Sequence, residues 1–93
     1  MKVTLLALAA AGLLSATAAY AQSGADVVKA KGCLNCHEMD KKKVGPGFKD
    51  IASRRQGKAD EIVAKLKDGK GHMKIAASEA EIKAAVEYVL SQK

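Results

Sequence analysis

Tryptophan is absent from this chain of 93 residues, and its other aromatics are one phenylalanine and two tyrosines. That excludes a core anchored on large rings, because Val, Ile, Leu and Ala alone make a thin one. Cysteine occurs only at positions 33 and 36, which rules out a multi-bridge disulfide framework. A zinc site is excluded on similar grounds, since no second C-x-x-C exists and the only other histidine, His72, cannot complete four ligands. There is no internal repeat, low-complexity tract or alternating strand pattern. Acidic residues are short too, at 10 against 16 basic ones, for a formal charge of +6. The excess does not read as a nucleic-acid surface, because no interleaved aromatic set is present to stack on bases.

What is present begins with an export signal. Lys2 precedes an almost uninterrupted apolar run, Val3 to Leu14, and Ala19-Tyr20-Ala21 has the small-x-small pattern of a signal-peptidase site. A retained anchor wants about 20 strongly apolar residues, whereas this segment is mostly alanine and ends in Ser15 and Thr17. Residues 1–21 are therefore expected to be cleaved after Ala21. The mature protein is then periplasmic, has no stable membrane insertion, and forms a single domain over 22–93. Cleavage removes Lys2 with the other 20 residues, which leaves 72 and lowers the charge from +6 to +5. A chain of that size, with Phe48 and Tyr88 as its aromatics, calls for a disulfide, a metal or a bulky cofactor to supplement its core.

The cysteines lie in GCLNCHEMD, residues 32–40. A Cys33–Cys36 disulfide would close a tiny loop and stabilise little. A thioredoxin-like redox pair belongs beside a βαβ pattern, which this sequence lacks. The remaining reading is C-x-x-C-H, the signature of covalent haem attachment. In a helical turn, positions i, i+3 and i+4 share a face, so both thiols and the His37 imidazole point at one object. The thiols can add to vinyl groups at the porphyrin edge while the imidazole reaches the iron.

Elsewhere the pattern is helical throughout. Ser23 caps a short segment containing Val27, Val28 and Ala30. Val44-Gly45-Pro46-Gly47 marks a loop; Phe48, Ile51 and Ala52 share a helical face, and Ile62 with Leu66 marks another helix ending before Gly69. Ser78 to Glu81 is a capping box opening a helix striped with Ile82, Ala85, Val86, Val89 and Leu90.

Through KAKGCLNCH, KKKVGPGFKDIA and EAEIKAAVEYVLSQK, the chain resembles the class I cytochromes c of the small bacterial mono-haem type over nearly all of residues 25–93. The resemblance implies an all-α fold of about four short helices around one covalently attached haem c. It implies that the first helix crosses the last, with Gly32 permitting close approach and Tyr88 nearby. It also implies that Pro46 offers its carbonyl to the other nitrogen of His37, and that the distal ligand comes from a loop before the last helix.

Met1 leaves with the signal and Met39 follows His37 too closely to reach the opposite haem face, which points to Met73 in Gly69-Lys70-Gly71-His72-Met73-Lys74. Many relatives carry prolines around this methionine and an aromatic before it; here the flanks are His72 and Lys74, and His72 is an alternative donor. Two strong ligands leave the iron only a change of oxidation state, which reads as a one-electron carrier and not an enzyme. The alternative is a haem enzyme or gas sensor with an open or His72-ligated distal site. Lysines 29, 31, 41, 42, 43, 65, 67, 70 and 74 outnumber acids on their segments, which suits acidic-surfaced redox proteins or membrane oxidoreductase complexes as partners.

Overall fold

Capping residues set where the helices begin. In the computed structural model, which describes residues 23–93, the Ser23 hydroxyl accepts from the Asp26 amide at 3.1 Å and opens α1, Gly24–Ala30. The expected signal segment and its cleavage after Ala21 lie outside the described residues. A 3-10 turn over Cys33–Asn35 follows, then α2, Phe48–Arg54, which starts directly after the Pro46-Gly47 turn. The third helix, α3, spans Ala59–Asp68; it carries Asp60 and Glu61 in its first turn and Lys65 and Lys67 in its last, which complements the helix dipole, and Gly69 caps it. The fourth, α4, spans Glu79–Leu90 and opens on the expected capping box: Ser78 accepts from the Glu81 amide at 3.1 Å, and the Glu81 carboxylate accepts from the Ser78 amide at 2.9 Å. Such a cap contributes about 1 kcal/mol. The expected all-α fold of four short helices is what the described residues form, with no strand among them.

Packing is organised by α4, against which α1, α2 and α3 all lie. The core is divided. Val27, Val28, Phe48 and Ala85 form one cluster, with Cys33, Met39, Ile51, Tyr88 and Val89 around it. Val63, Ile82 and Val86 form the other, flanked by Leu66, Ile75 and Leu90. Gln56 fastens the C-terminal ends of α2 and α4 together, its side-chain amide donating to the Ala52 and Leu90 carbonyls at 2.8 Å each.

The crossing of α1 and α4 corrects one expectation. The close-approach glycine is Gly24, where an added Cβ would stand 2.2 Å from the Ala84 carbonyl oxygen and 2.5 Å from the Tyr88 Cβ. Gly32 instead adopts φ 75°, and it turns the chain from α1 into the cysteine segment. Composition cannot separate these roles, because both glycines flank the same helix and only the packed partner distinguishes them.

Candidate functional site

The motif residues meet in one turn. His37 and Cys36 both donate their backbone N–H to the Cys33 carbonyl, at 3.0 and 3.2 Å, so the 3-10 geometry gathers the two thiols and the imidazole. Both cysteines are free and half-buried. Burial pushes the Cys33 thiol above its ordinary value, with its backbone hydrogen bond acting the other way.

His37 is held on three sides. Its Nδ1 lies 2.7 Å from the Pro46 carbonyl oxygen, 9 residues along the chain. A carbonyl can only accept, so Nδ1 carries the proton and the Nε2 lone pair is left to bind. The Phe48 ring stacks against the imidazole with centroids 5.4 Å apart. Gly45 presses on the ring: a Cβ there would be 2.5 Å from His37 Cε1. The intervening loop is fixed by the Gly45 amide donating to the Cys36 carbonyl at 2.7 Å and by Phe48 and Lys49 amides donating to the Glu38 and Met39 carbonyls. A salt bridge between Lys49 and Asp40, 2.7 Å, closes the same segment on its exposed side.

Gly45 and Phe48 were not singled out by motif reasoning as supports of His37. Gly45-Pro46-Gly47 signals a turn but not the ring it rests on, and Phe48 reads as a core residue. Replacement of Gly45 by Ala is expected to displace the imidazole or break its bond to Pro46, lowering stability by about 1–3 kcal/mol as other overpacked sites do. Denaturant midpoints and the low-spin electronic spectrum of the exported protein measure this, and an unaltered spectrum with an unaltered midpoint contradicts it.

Met73 and His72 occupy the loop between α3 and α4. Its base is tied by Lys67 to Glu79, 2.6 Å, and by the Ile75 amide donating to the Leu66 carbonyl at 2.9 Å. The Glu79 carboxylate is held below its usual range by the hydrogen bond from Lys67, whose ammonium is raised in turn. Met39, by contrast, packs on the first core cluster. His72 stacks beside His37, the rings 6.1 Å apart by centroid and parallel within 1°. Of the lysines named from the sequence, Lys65 and Lys67 are engaged in ion pairs, with Glu61 and Glu79.

The residues fit a covalently attached haem. The imidazole presents a free nitrogen beside two available thiols. Large apolar side chains stand exposed within or next to the same features: Leu34 inside the motif at 43%, Val44 beside Gly45 at 75%, and Met73 beside His72 at 68%. A flat apolar group lying against them covers surface that water otherwise meets.

A family model described as "Cytochrome C oxidase, cbb3-type, subunit III" matches residues 19–89. The chain is 37% identical to a cytochrome c-551 of Pseudomonas aeruginosa, covering 96% of this chain and 95% of that relative. It is 34% identical to a cytochrome c-552 of Nitrosomonas europaea, covering 91% of each. The crystal structure of wild-type Nitrosomonas europaea cytochrome c552 superposes with a TM-score of 0.62 at 31% identity, covering 74% of this chain and 99% of that one. These similarities join with the helix order and the cysteine-histidine turn: the chain belongs to the class I cytochromes c, small bacterial mono-haem proteins with one covalently attached haem c.

Proposed function

We propose that the mature protein, residues 22–93, is a periplasmic one-electron carrier in which Cys33 and Cys36 form thioethers to haem, His37 is the proximal iron ligand and Met73 the distal one. The observation that carries this reading is the 2.7 Å bond from His37 Nδ1 to the Pro46 carbonyl, which leaves the Nε2 lone pair to bind in the turn that holds both thiols. When bound, the haem iron supplies a reversible one-electron couple.

The chain's own residues set the terms of that couple. The thioether of Met73, a soft donor, favours the ferrous state and raises the reduction potential. Pro46, Gly45 and Phe48 hold the imidazole in one orientation, so little has to move when the charge changes. With both faces ligated by protein, no position is left for a substrate, which makes the protein a carrier and not an enzyme. Lys29, Lys31, Lys41, Lys42, Lys43, Lys70 and Lys74 supply a positive field that steers acidic-surfaced redox proteins or membrane oxidoreductase complexes towards it. Among the described residues no helix is long and apolar enough to cross a membrane.

The test is the exported protein itself. Its mass is expected to exceed the bare polypeptide by one haem. The ferric spectrum should carry the far-red band of sulfur coordination, and the native ferrous form should not bind carbon monoxide rapidly. A colourless product of bare-polypeptide mass overturns the haem assignment, and rapid carbon monoxide binding overturns the carrier in favour of a haem enzyme or gas sensor.

A further inference from the structure

We propose that His72 is a second donor for the coordination position opposite His37, so that the loop between α3 and α4 offers the iron two adjacent ligands and loss of Met73 hands the position to His72. The inference rests on the haem reading above and goes beyond it, because it makes the distal ligand exchangeable.

Geometry is the first support. The His37 and His72 rings are parallel within 1°, with centroids 6.1 Å apart. An ordinary aromatic pair has centroids in the same range, so the separation alone does not decide the matter.

The hydrogen bonds decide it. His72 Nδ1 lies 2.7 Å from the Met73 carbonyl oxygen, as His37 Nδ1 lies 2.7 Å from that of Pro46. In both rings the acceptor is a carbonyl, so both Nδ1 atoms donate and both Nε2 lone pairs are free. A backbone carbonyl on the non-ligating nitrogen is the usual partner of a metal-binding histidine. The His37 and His72 rings are thus prepared in the same way. His72 is half-buried, whereas the Met73 side chain is 68% exposed.

The loop holds His72 there. Lys67 to Glu79 and the Ile75 amide to the Leu66 carbonyl close its base, so a change at Met73 leaves the backbone that carries His72 in place. Imidazole is a harder donor than a thioether and stabilises ferric iron by comparison, so exchange lowers the reduction potential while keeping the iron six-coordinate.

The test compares exported wild type, Met73→Ala, His72→Ala and Met73→Ala/His72→Ala by ferric and ferrous spectra, electron paramagnetic resonance, exogenous imidazole binding and reduction potential. Met73→Leu, which keeps side-chain volume, is run in parallel in case the alanine variant does not accumulate. The expected result is loss of the sulfur band in either Met73 variant with retention of a low-spin, two-imidazole signature, a lower potential and no uptake of added imidazole. The double variant should turn high-spin and take up imidazole. A high-spin, imidazole-binding Met73 variant overturns the proposal, as does a low-spin centre that survives in the double variant, since its donor is then another group. A wild type without the sulfur band that gains it in His72→Ala supports His72 as donor while overturning Met73 as the resident ligand. A colourless wild type overturns both readings.

Discussion

Exported protein carrying Cys33→Ala and Cys36→Ala is expected to be colourless and largely unfolded by circular dichroism, with none of the cooperative melting expected of the parent. The reason lies in how little the side chains bury for themselves. Among the described residues the buried hydrophobics are Val27, Val28, Phe48, Ala52, Val63, Ile82, Ala85 and Val86, and Phe48 is the one large ring in the set. A set this small, with a single ring, makes a thin core for a domain of this size and leaves the chain entropy poorly offset. The helices cannot make up the difference, since α1 and α2 have only 7 residues each, well under the length at which an isolated helix holds in water. A thioether-bound porphyrin brings the missing apolar surface and joins it to the chain at the one place where α1, the cysteine turn and the His37 loop converge. A well-folded, two-state apoprotein from the double variant contradicts this account.

Replacement of Gly24 by Ala is expected to be the most damaging single-methyl change away from the haem ligands. The added carbon would meet the Ala84 carbonyl oxygen at 2.2 Å and the Tyr88 Cβ at 2.5 Å, both fixed parts of α4 and not the free ends of flexible side chains. The helix axes must therefore separate, and Val27 and Val28 lose part of their fit against Ala85 and Tyr88. Overpacking of this kind costs about 1–3 kcal/mol. In a domain this size that corresponds to a melting midpoint lower by on the order of 10 °C. Thermal melts of the holoprotein followed at the far-ultraviolet helix signal measure it. A Gly24→Ala protein that melts with the parent shows that α1 and α4 are not in the contact described.

Much of this was legible in the sequence because the relevant signals are local. The capping box at Ser78 and Glu81, the Ser23 cap, the stop at Gly69 and the C-x-x-C-H spacing each depend on residues within one or two turns of each other. Periodicity then assigned the apolar faces that α2, α3 and α4 bury. What escaped was non-local. That Gly24 and not Gly32 receives α4 depends on where a residue 60 positions later comes to rest. The contact of Gly45 with the His37 ring depends on the path of the loop between them, and the parallel setting of His37 and His72 joins two segments 35 positions apart. Adjacent residues that both can ligate iron, such as His72 and Met73, were visible as a pair, but only the ring and carbonyl geometry distinguishes what each is prepared to do.

The divided core has a consequence for how the molecule comes apart. One helix, α4, supplies Ala85 to the first group of buried side chains and Ile82 and Val86 to the second. Those three positions fall within a turn and a half of one another, so fraying of α4 strips both groups at once. Loss of α4 therefore undoes both halves together, and it acts as the hinge pin without which neither leaf hangs.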